Sequence, residues 1–287
     1  MRFGPSPRHP RRPERTASGR VFLLALLPLL YVCPLPAARA DEQKPILWRE
    51  VWSGADASKD VWLIYSGATI APASHIHQNG IRFRVTGGYG QYRYRDLDGG
   101  KRDTFEATTA FGDLLAGYLV RLDPLTLKVF AGATYIDHDI SPYDRETIVT
   151  GGEWGVKGVV ELWLNAGDKG WTSLDVSYAT AHDTAALRLR SGYRVLDALS
   201  LGVEAGLNVD AQAQCKMRLE MAKGCRLDPE DPDVKSLFDF GRAGLFARYE
   251  WEGGEFSFSA GGLGQLYSPD EGFKIDPYVT VNWITQF

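Results

Sequence analysis

An alternation of apolar and polar residues with a period of two, repeated almost from end to end, constrains this chain more than any other feature. In "PYVTVNWITQF" (277–287), Val279, Val281, Trp283, Thr285 and Phe287 share one face and Tyr278, Thr280, Asn282 and Gln286 the other. "ALRLRSGYRV" sets Leu187, Leu189, Tyr193 and Val195 against Arg188, Arg190, Gly192 and Arg194. The same division separates Leu199, Leu201, Val203 and Leu207 from Ser200, Glu204 and Asn208, and Ile81, Phe83 and Val85 from Arg82, Arg84 and Thr86. Successive side chains of a strand point to opposite sides, so each segment is a strand with one oily and one wet face.

A water-soluble sandwich would show alternation too. Strand length separates the two readings. Twelve segments stand out, near 47–58, 61–70, 80–95, 104–122, 125–137, 150–165, 170–181, 184–195, 198–209, 238–251, 255–267 and 273–287. Several exceed the roughly five or six residues usual in globular strands and reach the roughly 9–11 of a tilted membrane strand. The expected fold is therefore all-β: a transmembrane antiparallel β-barrel of about 12 strands, its first strand closing on its last because lipid offers no partner to an open edge. Short links ("DP", "AGDK", "LD", "EGG") alternate with longer ones ("DLDGGKRD", the stretch around "HDISPYDRET", and 210–237), as expected for periplasmic turns and outward loops. Two links break the pattern, the brief Lys59-Asp60 and the long "APASHIHQN". Trp48, Trp52, Tyr249, Trp251 and Trp283 are candidates for an aromatic girdle. Phe287 resembles the terminal aromatic by which such barrels are recognised for insertion. "VWLIYSGATI" (61–70) is apolar on both faces and gives no orientation.

The N-terminal stretch sets the compartment. Arg2, Arg8, Arg11, Arg12, Arg15 and Arg20 precede the apolar "VFLLALLPLLYVCPLP" and then "AARA", the three parts of a secretory signal peptide cleaved after Ala40. Two prolines and short length argue against a membrane anchor, and Tyr31-Val32 before Cys33 against a lipoprotein site. The remaining 41–287 is expected to be one barrel domain. Residues 1–40 hold seven of 32 basic and one of 36 acidic side chains, leaving 25 and 35. That acidic balance disfavours nucleic acid. Cys215 and Cys225, in the 210–237 loop, are expected to form a disulfide in an exported chain; a metal site would need further ligands.

The wet face is ionic. Arg82, Arg84, Lys157, Arg188, Arg190, Arg194, Arg242 and Arg248, with Glu161, Asp175, Glu204 and Glu250, are expected to line the lumen. Buried charges need partners. Cross-lumen salt bridges would supply them without a pore, and an arginine-lined wet channel for anionic or sugar-like solutes is the alternative. Support for catalysis is thin: His138 in "DHD" and His182 in "HD" could each be oriented by an acid in a lipid-modifying barrel enzyme, but G-x-S-x-G is absent and no nucleophile is fixed. His75 and His77 lack a third nearby ligand, so no metal and no cofactor is expected. Tyr89, Tyr92 and Tyr94, with Arg93 and Arg95, run toward the outer rim, where Tyr92 and Tyr94 are candidates for glycan contact and, alternatively, part of a girdle.

"WSGADASKDVWLIYSGA" (52–68) and "NGIRFRVTGGYGQYRYR" (79–95) resemble the opening of the cellulose biosynthesis protein BcsS family, exported proteins of alphaproteobacterial type. The matching residues are strand and turn residues and carry over no catalytic or binding role. The resemblance implies an outer-membrane accessory role in making, exporting or anchoring cellulose. The implied partners are outer-membrane lipids, the barrel-insertion machinery, cellulose and components of its synthase system.

Overall fold

A computed structural model describes residues 47–98, 101–144, 147, 149–210, 240–265 and 275–287; residues 1–40, Cys215 and Cys225 lie outside the described residues. The chain forms twelve strands: β1 (Arg49–Ser58), β2 (Val61–Ile70), β3 (Gly80–Asp98), β4 (Lys101–Leu122), β5 (Leu125–Ser141), β6 (Gly151–Ala166), β7 (Gly170–Ala179), β8 (Thr184–Leu196), β9 (Leu199–Val209), β10 (Phe240–Trp251), β11 (Gly254–Gln265) and β12 (Ile275–Gln286). A 3-10 turn, Ala181–Asp183, joins β7 to β8. Each strand pairs antiparallel with its sequence neighbours, and β1 pairs with β12, closing the barrel. Closure leaves no strand edge for lipid to solvate. It is finished by backbone bonds at the seam: Arg49 N–H donates to Phe287 O at 2.9 Å and Phe287 N–H to Arg49 O at 3.0 Å.

The two ends of the barrel differ. Arg49 and Phe287 share one end with the short links 123–124, 167–169, 197–198 and 252–253; in outer-membrane barrels this is the periplasmic end. We call it the inner end. At the outer end, β3 and β4 run to 19 and 22 residues while β1 and β2 have ten each, so one wall of the barrel stands much taller. On that wall the outward-facing ion pair Arg93–Glu106, 2.9 Å apart and half-exposed, lies beyond Tyr89. A charge pair of this kind belongs in water, so the lipid boundary falls near Tyr89 and the hairpin tip stands clear of it.

The apolar faces point outward. Leu114 and Leu245 are 67% and 68% exposed, and Ile64, Val85, Val156, Leu189, Val203, Phe258 and Val279 are exposed around the circumference. Aromatics gather at both boundaries: Trp62, Tyr89, Trp154 and Tyr178 toward the outer end, Trp48, Tyr118, Tyr249, Trp251, Trp283 and Phe287 toward the inner. This is the outer wall of a membrane barrel.

Register orients the strand that alternation left open. Gly54 sits opposite Tyr65 and Asp56 opposite Leu63, so Leu63, Tyr65, Gly67 and Thr69 face the lumen and Trp62, Ile64 and Ile70 the lipid. The same register corrects Trp52. It is in phase with Glu50 and Asp56 and points into the barrel, its ring over Gly67 and 6.2 Å from that of Tyr65, rather than into a girdle. The charges on that face must turn inward, and Trp52 goes with them. A side chain on Gly67 would place its Cβ 2.4 Å from the indole, which explains a glycine there.

Candidate functional site

The lumen holds a packed waist. Phe130 of β5 and Trp171 of β7 are each 1% exposed, and Ser200 of β9 and Thr280 of β12 are wholly buried. Leu115, Leu119, Phe246, Ser257 and Ser259 complete a ring of buried inward-facing residues from most of the strands. Inward side chains lining a water-filled pore would be exposed; these are not.

Ion pairs and aromatics fill the space together. The Arg84 guanidinium forms a two-pronged pair with Glu161, its Nη2 at 3.2 Å from Oε2, and lies 3.9 Å above the Phe130 ring. Lys128 adds a second cation to Glu161 at 3.4 Å. Beside this pair, Trp163 of β6 and Trp171 of β7 stack with centroids 4.3 Å apart, and Arg248 lies over both while pairing with Glu250 at 3.0 Å and with Glu255. Stacked indoles cover the guanidinium's face while carboxylates satisfy its edge. Small residues make the room: a Cβ on Gly192 would meet Trp171 at 2.6 Å, and one on Gly202 would meet Phe246 at 2.5 Å.

Farther out, Glu204 accepts from Arg188 Nη2 at 2.6 Å, from the Tyr278 hydroxyl at 2.7 Å and from Ser259 at 3.1 Å. Asp113 accepts from Lys157 and from Thr134, each at 2.7 Å. Arg242 reaches Asp56 at 3.2 Å, and Thr280 donates to the same carboxylate. The expected lining residues are thus brought together as pairs. Arg190 shares the inner face of β8 with Arg188, and its Nε has no hydrogen-bond partner. Arg194 also lies on that face, at the inner end, half-buried.

Arg82 departs from the expected arrangement. It makes no cross-lumen ion pair among the described residues; at 1% exposure it turns toward the 71–79 link and donates to Ser74 Oγ, His75 O, Ile76 O, Gln78 O and Ile81 O. The long inner link is therefore folded back against the inner mouth on the side formed by β12 and β1 to β4, and we call it the plug. Ile76 is buried beneath it, and Ile76 N–H donates to Leu47 O at 2.6 Å. From its other side His77 Nε2 donates to Gln286 Oε1 at 2.9 Å, and Gln286 Nε2 donates to Glu50 at 2.8 Å. Asn79 Oδ1 accepts from Arg121 N–H at 2.7 Å. The plug is thus tied to β3, β4 and β12. Partial burial lowers the His77 pKa below the ordinary imidazole value, with neighbouring His75 acting in the same direction.

The other histidines are brought together as a pair. His138 and His182 meet edge to face with centroids 5.0 Å apart at the outer end. His182 Nε2 is 3.1 Å from Gly151 O and its Nδ1 3.3 Å from Glu153, whose carboxylate also accepts from the His182 backbone N–H at 2.9 Å. His138 Nδ1 is 3.1 Å from the Tyr92 hydroxyl. His75 and His77 lie 5.4 Å apart, and no group of three metal-ligating side chains occurs among the described residues. The tyrosine cluster is split. Tyr89 faces outward against Trp62, whereas Tyr92 is buried with Ala107 on the inward face. Tyr94 pairs with Phe105 in the β3–β4 register. A buried Tyr92 presents no open ring face to a glycan.

Above the waist is a cavity of about 380 Å³. It is lined by Asp56, Arg242, Lys157, Tyr278, Phe111 and Leu63, among others, and reaches the outer rim at Ser58, Thr184 and Asp210, where β1, β8 and β9 begin or end. Reading the sequence missed three parts of this interior. Trp163, Trp171 and Phe246 were not seen as luminal, although each is in phase with a luminal charge (Glu161, Asp175 and Arg248). The alternation assigns no place to the acids Asp56 and Asp113, and it shows 71–79 only as a long periplasmic link.

A closed twelve-stranded sheet with an apolar outside and an ion-paired, aromatic-packed inside is an outer-membrane β-barrel. Residues 50–219 match the cellulose biosynthesis protein BcsS family, and the chain belongs to it. No curated protein matches the chain. Among solved structures it is similar to a KdgM porin (8% identity, 83% of this chain and 99% of that one, TM-score 0.41). It is also similar to an outer membrane channel from Pseudomonas putida F1 (11%, 88% and 100%, 0.44) and to the translocator domain of the autotransporter NalP from Neisseria meningitidis (13%, 86% and 90%, 0.42). Likeness this distant carries no functional argument.

Proposed function

We propose that the protein is a non-enzymatic outer-membrane accessory of cellulose biosynthesis, assisting export or anchoring of the polymer at the cell surface rather than conducting solutes. Family membership supports the link to cellulose. The observation that carries the choice of role is the packed waist over a plugged inner mouth, which favours a surface-facing barrel over a porin. On this reading the partners are outer-membrane lipids, the insertion machinery acting on the strand that ends at Phe287, and cellulose or components of its synthase system.

The test is genetic. Deleting the gene should lower cell-retained cellulose, and the full-length chain in trans should restore it. Unchanged output and retention in the deletion strain would refute the role.

A further inference from the structure

Resting on that reading, we propose that the outer cavity is a binding site for a short stretch of neutral, polyhydroxylated glycan, one or two sugar units deep. A cavity of about 380 Å³ lies at the low end of the range for small-molecule sites. Its floor is the packed waist, so a ligand enters from the rim and stops; the cavity is a cup, not a passage.

The chemistry of the lining selects the ligand class. Arg242 is held by Asp56 through Nη1, and its planar fork carries further N–H donors on Nη2. Lys157 is held by Asp113 and retains two further N–H donors. Each cation is thus already neutralised, which removes the net positive charge an anionic ligand would need and leaves spare donors beside carboxylate acceptors. Adjacent donors and acceptors are what vicinal hydroxyls bond to, since each hydroxyl both donates and accepts. Between the polar groups lie Leu63, Phe111, Ile136 and Leu263, apolar surfaces suited to the C–H faces of a pyranose ring. The half-buried Phe111 ring supplies a flat surface that buried Tyr92 does not offer, and Tyr278 adds only its edge to the lining.

The experiment measures binding of cellotetraose, and of an acidic oligogalacturonate of equal length, to the refolded barrel in detergent. Cellotetraose should bind, and the acidic oligomer at least tenfold more weakly. Ala186→Phe and, separately, Ser177→Phe fill the cavity from β8 and β7 without removing an ion pair. Each variant that retains the barrel's resistance to unfolding in cold SDS should lose at least tenfold in affinity. No binding by the wild type, tighter binding of the acidic oligomer, or unchanged binding by the filled variants would overturn the site. Such a failure leaves the gene-deletion phenotype as it was, whereas binding in a protein whose deletion leaves cellulose unchanged would refute the accessory role alone.

Discussion

Arg82 Nη2 donates to the carbonyl oxygen of Gln78 at 2.5 Å, the shortest of four bonds by which one buried guanidinium gathers the 71–79 link into a plug. A planar fork with five donors suits this task, and a lysine's single ammonium cannot reach the same acceptors together.

Replacing Arg82 with Ala should therefore release the plug while leaving the barrel closed. Hydrogen bonds to charged groups contribute about 1.5–3 kcal/mol each and are not additive, so a local loss of at least about 3 kcal/mol is expected. Proteinase K should cut Arg82→Ala within 71–79 much faster than the wild type, with Arg82→Lys in between. Equal cutting rates would remove the guanidinium from its role.

Plug closure should also depend on pH. The His77 pKa lies below the ordinary imidazole value because the ring is partly buried in the closed plug. A released ring takes up a proton that the closed one resists. The closed form therefore has its full stability above the ordinary imidazole pKa and loses it as pH falls toward the lowered one. Cleavage of the link should rise between about pH 7 and pH 5, and His77→Gln should flatten that dependence.

Glu161 anchors two cations, Arg84 and Lys128. Removing its charge leaves both buried without it, at a cost of about 3–5 kcal/mol. Glu161→Gln should lower the urea midpoint for unfolding in detergent. The double variant Arg84→Met, Glu161→Leu should lose less than the sum of its two single changes.

Much of this interior was legible in the sequence because β-strand geometry permits only two faces. Arg188, Arg190, Arg242 and Arg248 could be placed by parity alone, as could the lipid-facing Leu245. Trp52 could not be placed from residue type, because a tryptophan suits an interface girdle as well as a lumen; only its phase with Glu50 and Asp56 decides. Tyr92 and Tyr89 are three residues apart, an odd spacing that puts them on opposite faces, so they could never have formed one aromatic platform. The Arg82 plug was illegible for another reason: all but one of its acceptors, Ser74 Oγ, are main-chain carbonyls, which leave no mark in the sequence.

Parity also predicts opposite outcomes for neighbouring residues. Leu245 faces lipid and Phe246 the waist. Leu245→Arg should cost about 2–4 kcal/mol if it lies near the bilayer midplane, measured as folding into liposomes. Leu245→Phe should be close to neutral there. Phe246→Ala, by contrast, should act in detergent and bilayer alike, by opening a void beside Trp171, 5.3 Å away between ring centroids.

The central claim is that the waist and plug together close the lumen. Planar-bilayer recording on the purified wild-type barrel at neutral pH tests it most directly. We expect inserted protein with no steady ohmic current; reproducible open-channel steps from the wild type would contradict it.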